Sequence, residues 1–293
     1  MSDQRWRQHR LGPAIISLIV YLPAIGVAWW IVTLAPTASI LWNTLIADVA
    51  ATLIVFAASM LTRNSSIYDP YWSVAPPLIA VYWFTAIGSA DLTPREWLAF
   101  GLVALWALRL TYNCMRRWKS YEEQDFRYLD LKAKFGRLYP LIDLFGIELY
   151  PTVLVFLGCI PLFAVAESGA PLGLLDGLAV VVTLGAILLE TIADEQMWAY
   201  RKTRTPDAPI CTDGLWAYSQ HPNYVGELLF WWGLWLFGFA SGAGDIWMIT
   251  GALAMTLLFV FISVPMMVKR KRERYPDYDK LVGGIPVLLP RLF

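Results

Sequence analysis

Charge is scarce in this chain. Asp, Glu, Lys and Arg make up 16% of its 293 residues, against about a quarter in a soluble domain. Acidic and basic residues balance, 23 against 23, so no excess of cations marks a nucleic-acid partner. Histidine is scarcer still: His9 and His221 are the two. A histidine-based metal cluster is therefore excluded, and the Cys and carboxylates show no ligand spacing of their own. Cys114, Cys159 and Cys211 are odd in number and far apart, which implies no disulfide framework. Glycine-rich phosphate loops are missing too, both GxGxxG after a strand and GxxxxGKS/T. A nucleotide, if bound, is not held by a Rossmann or P-loop fold.

What the chain has in quantity is apolar surface. It is 58% hydrophobic, with 15 Trp, 14 Tyr and 14 Phe, and its mean hydropathy is +0.52. Rings in such number favour a membrane interface. A span needs roughly 20 mostly apolar residues. Eight stretches qualify: 12–34, 40–62, 71–89, 96–115, 146–167, 174–197, 222–241 and 245–268. The first follows a basic N-terminus, but it is long enough to span and lacks a small-residue cleavage site, so it reads as a transmembrane helix and not as a signal peptide. Pro76 and Pro77 are expected to kink or split the third. The fold expected is an all-α integral membrane protein, a single domain over 1–293 built as a bundle of seven to eight transmembrane helices. With eight spans, all of the 23 Lys and Arg except Arg95 and Arg109 fall on one side, which the positive-inside rule makes cytoplasmic. Both termini would then be cytoplasmic. The three informative connections, 61–73, 113–146 and 200–222, share that side, and connections on a rigid scaffold tend to carry function.

Charges inside a span cost several kcal/mol unless they are used. Here they are Asp48, Arg109, Glu190, Asp194 and Glu227. Glu190, Asp194 and Arg201, spaced by four and seven, share a helical face. That stripe reads either as an interfacial ion-pair ladder or as a cofactor slot whose cations meet phosphate. The run Gly214–Phe239, GLWAYSQHPNYVGELLFWWGLWLFGF, passes from polar groups into an apolar helix. Pro222 suits a first helical turn, which puts His221 at a helix N-terminus that attracts anionic groups. Asn223 offers a donor and an acceptor, and Glu227 lies one turn further on. The basic Lys269–Arg272 reads as a stop-transfer flank or a headgroup contact.

The run GLWAYSQHPNYVGE resembles the C-terminal signature of membrane steroid 5α-reductases and their bacterial relatives, the DUF1295 group. It is similar also to sterol C14 reductases and, more loosely, to isoprenylcysteine and phospholipid methyltransferases. RERYPDYDKLVGGIPVLLP resembles the family's closing segment, so the likeness is strongest over about 174–293. It implies a helical fold with a cytoplasm-facing cavity that holds NADPH. Asp194, Arg201, Asn223 and Glu227 match cofactor contacts, Tyr218, His221 and Tyr224 share the signature, and the pair Arg116-Arg117 matches a basic loop that meets phosphates. Many relatives have Arg before HPN, whereas this chain has Gln220.

The implied reaction is reduction of a carbon–carbon double bond conjugated to a ketone in a lipid-soluble substrate, such as a 3-oxo-Δ4 steroid. An acid must then stabilise the developing enolate. In the reductases a carboxylate on an early helix and a tyrosine on a later one do this. Asp69, in SIYDPYW, is the carboxylate favoured here, with helix N-capping as its bland role. Tyr68, Tyr71 and Tyr112 are the phenols. Trp72, Trp106 and Trp231 read as slot walls or as packing. The alternative activity is methyl transfer from S-adenosylmethionine to a prenylcysteine or phospholipid. A membrane scaffold or transporter is a third class, disfavoured by the lack of an inverted repeat. The membrane implied is the cytoplasmic one in a bacterium or the endoplasmic reticulum in a eukaryote.

Overall fold

The computed structural model of the protein describes residues 9–87, 91–205 and 209–289. Arg5 and Arg7 of the basic N-terminus and the last four residues lie outside them. Among the described residues every regular element is helical.

Local chemistry fixes where the helices begin and end. The first, α1 (Gly12–Leu34), starts with proline in its first turn and stops at Ala35, whose φ is 44°. Ser39 opens α2 (Ile40–Thr62) by accepting from the Trp42 amide, a standard cap. Next come α3 (Tyr71–Ala86) and α4 (Pro94–Arg117). Thr93 and Glu96 exchange bonds across the start of α4, the Thr93 amide donating to Glu96 at 2.6 Å and the Glu96 amide to Thr93 Oγ1 at 3.3 Å, a reciprocal capping box. Asp125 caps α5 (Phe126–Phe135). The short α6 (Tyr139–Ile142) then runs through a wide π turn, Asp143–Leu149, into α7 (Tyr150–Glu167). The rest are α8 (Leu174–Thr203), α9 (Pro222–Ala240), α10 (Ile249–Leu258), α11 (Val264–Arg274) and α12 (Tyr278–Leu281).

Each of the eight apolar stretches contains a helix among its described residues. Among the described residues six segments are long and apolar enough to cross a membrane: Gly12–Leu34, Ile40–Thr62, Pro94–Arg117, Phe126–Glu167, Leu174–Thr203 and Ile246–Arg274. The protein is an integral membrane protein of this helical kind. The two stretches outside the six are α3 and α9. The first has only 16 residues. The second carries Asn223, Glu227 and three Trp, which lower its hydropathy. Pro76 and Pro77 do not split α3, which runs unbroken past both. They lie near its N-terminal end, where few intrahelical bonds are lost. The Ser73 hydroxyl there donates to Pro70 O at 2.9 Å.

The chain forms two compact units. One comprises Met1–Leu92 with Val103–Cys159, the other Thr93–Leu102 with Ile160–Phe293. The core of the first gathers Val20, Tyr21, Ala24, Ala51, Val55 and Ile67 with rings from the connections. Within the second, α9 lies along α8. A Cβ on Gly226 would stand 2.9 Å from the Ala186 carbonyl oxygen, so only glycine allows this approach of the two backbones.

Candidate functional site

A cleft of about 100 Å³ opens in the first unit among α1, α2 and α3. Its walls are apolar: Ile25, Ala28, Val32, Ala47, Ala75 and Ile79 among them. Polar side chains interrupt these walls, Thr44 and Tyr82 among them, and two others, Asp48 and Tyr71, are bonded to each other. The Tyr71 hydroxyl donates to Asp48 Oδ1 at 3.2 Å. Asp48 is 6% exposed, and its other oxygen, Oδ2, is buried with no partner among the described residues. A carboxyl group left half-satisfied in an apolar slot is costly. A ligand atom able to share a hydrogen bond with Oδ2 would remove that cost.

The sequence marks Asp48 as an intramembrane charge, yet its pairing with Tyr71 is visible only in the fold. A signal for it exists. Thr44, Asp48 and Thr52 recur every four residues along α2, a polar stripe in an apolar helix. All three are buried. Trp83 Nε1 donates to Thr44 Oγ1 at 2.8 Å.

Asp69, the carboxylate favoured from the sequence, has different surroundings. It does not cap α3, whose N-cap is Pro70 and lacks a side-chain cap bond. It accepts a hydrogen bond from the Tyr128 hydroxyl, and Arg127 stands 3.8 Å away. Its side chain is 23% exposed. Burial pushes its carboxyl up to about 6; the Arg127 guanidinium opposes that and the Asp125 carboxylate reinforces it. Tyr68 precedes it in the chain but turns into the core, where its hydroxyl meets Thr152 Oγ1 at 2.8 Å. Tyr112 is 64% exposed, with Arg116 over its ring. At the end of α4, Arg117 Nε donates to the Asn113 carbonyl at 3.0 Å. The π turn supplies two further buried carboxyls that sequence reasoning left without a role. Asp143 accepts from Ser65 at 2.9 Å, and Glu148 accepts from Ser59 at 2.7 Å.

In the second unit the signature is first of all a latch. The Gln220 amide N–H donates to Pro286 O at 2.9 Å. Its side chain donates to Ile285 O at 2.7 Å and accepts from the Tyr278 hydroxyl at 2.8 Å. The residue that replaces the relatives' Arg thus holds the closing segment by three bonds. Upstream, Gly214 sits at φ +59°, and a Cβ there would collide with Gln196, whose side chain accepts from the Leu215 amide.

His221 is the N-cap of α9, with Pro222 behind it as the sequence predicts. Its Nδ1 lies 3.1 Å from the Val287 carbonyl, which assigns the proton to Nδ1 and an unshared pair to Nε2. That Nε2 is buried without a partner among the described residues. Burial drives the imidazole down to about 4, with the Lys271 charge adding to the effect and the Val287 carbonyl opposing it. The ring is therefore neutral at pH 7. It stacks on Tyr224 at 5.3 Å. Asn223 and Asp194 are half-buried, Arg201 and Tyr218 exposed. Glu227 is buried and accepts from Trp231 Nε1 at 2.8 Å. Glu190 is 1% exposed and packs against Gly226, so of the stripe only Asp194 and Arg201 reach the surface. Of the three tryptophans, Trp106 and Trp231 are fully buried and Trp72 stacks edge-on against Trp106. None of the three lines the cleft.

The chemistry at His221 fits a nicotinamide nucleotide. A buried acceptor without a donor suits a carboxamide N–H, Asn223 offers complementary groups, and Arg201 suits phosphate. No cluster of three or more His, Cys, Asp or Glu suited to a metal ion occurs among the described residues.

Residues 55–282 match the model of a family described as a protein of unknown function, DUF1295. The uncharacterized protein C594.04c of Schizosaccharomyces pombe is 26% identical over 264 residues, covering 82% of this chain and 76% of that protein. No solved structure matches.

Proposed function

The chain belongs to the DUF1295 family, and on that premise we propose that it is an NADPH-dependent reductase of conjugated ketones in lipid-soluble substrates, 3-oxo-Δ4 steroids being the type. The observation that carries this reading is the carboxyl–phenol pair Asp48–Tyr71 in an apolar cleft. It supplies an acid on an early helix and a tyrosine on a later one, as in the reductases that the signature resembles. In this reading Asp48 takes the role that the sequence offered to Asp69, and of the three candidate phenols, Tyr68, Tyr71 and Tyr112, Tyr71 is the one that acts.

The chain's own groups act as follows. The apolar walls admit a flat hydrocarbon body and exclude water. The substrate ketone oxygen is placed at Asp48 Oδ2, the unpartnered atom. The acid form of Asp48 donates to that oxygen while Tyr71 holds Oδ1, so negative charge developing on the enolate is stabilised as it forms. When bound, the cofactor supplies the hydride for the β-carbon. Asp194, Arg201, His221, Asn223 and Tyr224 would hold it, and Arg117 is assigned a phosphate by the resemblance. Tyr218 and Glu227 belong to the same signature. In this reading α3 and α9 also cross the membrane, giving eight spans with the basic connections and both termini in the cytoplasm.

Purified protein in detergent, given NADPH and a panel of lipid-soluble enones that includes progesterone, is expected to consume NADPH and yield a product heavier by two hydrogens. NADPH is also expected to stabilise the protein thermally, less so after Arg201→Ala. Stabilisation by S-adenosylmethionine without any response to NADPH would overturn the reading in favour of methyl transfer.

A further inference from the structure

Three successive carbonyls of the closing segment land on two residues of the signature. Ile285 O accepts from the Gln220 side chain at 2.7 Å, and Pro286 O accepts from the Gln220 backbone amide at 2.9 Å. The next carbonyl, Val287 O, meets His221 Nδ1 at 3.1 Å. The Tyr278 hydroxyl completes the grip by donating to Gln220 Oε1 at 2.8 Å. Gln220 thus uses both ends of its side-chain amide, and it sets which carbonyl faces the imidazole. A carbonyl only accepts, so Nδ1 carries the proton and Nε2 is left as an acceptor. The ring is held in that orientation by Tyr224, stacked on one face with the planes 17° apart. His221 is 3% exposed, and its Nε2 has no partner among the described residues. Buried polar groups are as a rule hydrogen-bonded, so an acceptor left open here points to a donor from outside the chain. Asn223 and Tyr224 beside it are half-buried, so a ligand reaches Nε2 by moving surface side chains and leaves the core closed.

We propose that Gln220 and the 285–287 strap lock His221 in its Nδ1–H tautomer, so that the site selects a ligand group that donates an uncharged N–H to Nε2. The selection rests on the reading of this signature as a nicotinamide-nucleotide site. Two groups of such a nucleotide have the required chemistry, the carboxamide of the nicotinamide and the amino group of the adenine. Both donate N–H without carrying charge. With the tautomer reversed, Nε2 would be a donor and would suit a carbonyl or phosphate oxygen instead. Gln220 is therefore a positioning residue that acts on the ligand through His221, as partners behind a ligating histidine do in metal sites. An arginine in its place, as in many relatives, has no acceptor for the Tyr278 hydroxyl. The glutamine amide answers that hydroxyl and the Ile285 carbonyl together.

The test is 15N NMR of the full chain in detergent, labelled at histidine. His9 and His221 are the two histidines, so His9→Gln leaves the signals of His221 alone. The two ring nitrogens of a neutral imidazole differ widely in shift, and the tautomer is read directly. The chain with its natural Gln220 is expected to show a single Nδ1–H form at pH 7. Gln220→Leu removes the side-chain bonds and is expected to give a mixture of both tautomers. Tyr278→Phe removes one bond and is expected to give a smaller admixture. NADP+ is expected to move the Nε2 resonance as the donor arrives. Two analogues then identify that donor. The 3-acetylpyridine analogue of NADP+ replaces the carboxamide amino group by methyl, and the hypoxanthine analogue replaces the adenine amino group by oxygen. One of them is expected to bind roughly 10- to 100-fold more weakly than NADP+, and Gln220→Leu is expected to narrow that ratio. An Nε2–H form in the chain with Gln220 overturns the lock, as does an unchanged tautomer in both Gln220→Leu and Tyr278→Phe. Equal binding of NADP+ and both analogues overturns the selection of a donor. The two readings fail separately. An Nδ1–H form in a chain that binds no nucleotide leaves the lock and removes the nucleotide site. Nucleotide binding by a chain with the Nε2–H form leaves the site and removes the lock.

Discussion

Two buried carboxyls, one in each unit, are held in opposite ways. In the second unit, Asp176 is fully engaged. Arg95 donates to both oxygens of Asp176, at 2.7 and 2.8 Å, and to the carbonyls of Ala170 and Pro171 at 3.0 Å. It ties the starts of α4 and α8 together. In the first, Asp48 keeps one oxygen without a partner beside a cleft, and so does Glu148. Satisfied buried charge holds a structure together, whereas half-satisfied buried charge waits for a ligand or a proton. In the second unit Glu96 Oε1 and His221 Nε2 are likewise buried without a partner among the described residues.

That contrast can be broken by experiment, and the largest effect should come from Arg95. Arg95→Ala leaves Asp176 buried and alone and is expected to cost about 3–5 kcal/mol in reversible unfolding in detergent. Asp48→Asn should cost less than about 1 kcal/mol, because little of its hydrogen bonding is lost. Equal losses would erase the distinction between the two carboxyls.

Acid comes next. The folded imidazole of His221 titrates near 4 instead of 6.5, so between those values the unfolded chain binds the extra proton. Stability should fall as pH drops from about 6.5 to 4, by on the order of 3 kcal/mol for this group. Asp69 has the opposite sign. Its folded carboxyl titrates near 6 instead of 3.8, so the folded state takes up the proton first and gains stability over that range. Unfolding midpoints measured against pH should flatten in His221→Asn, and in Asp69→Asn they should fall more steeply toward acid.

A smaller effect belongs to the close helix pair. Gly226→Ala forces the new methyl onto the Ala186 carbonyl and the Glu190 stem and should cost about 1–3 kcal/mol, read as a lower thermal midpoint. The smallest is at the edge of the first unit, where Tyr128→Phe removes the bond to Asp69 and should cost about 1 kcal/mol.

The sequence was most legible where chemistry is local. The start of α9 followed from Pro222, and the signature marked His221. The closing segment was visible as a motif, but its attachment to Gln220 was not, because 58 residues separate Gln220 from Tyr278. Asp69 drew attention because it sits among polar neighbours ahead of a proline. Asp48 is surrounded in sequence by Ile46, Ala47, Val49 and Ala50, and nothing near it shows that Tyr71 will arrive. Thr52 and Thr152 lie 100 residues apart, so their pairing is a product of packing alone. The four-residue stripe Thr44, Asp48, Thr52 was the one local trace of the cleft.

The central claim is the proposal that Asp48 is the acid of an NADPH-dependent reduction, and one paired measurement on Asp48→Asn tests it most directly. NADPH affinity and NADPH-dependent enone reduction are measured on the same preparation. The account predicts unchanged affinity with reduction lowered at least about a hundredfold. Reduction at the natural rate in Asp48→Asn, or loss of NADPH affinity in step with it, would contradict the account.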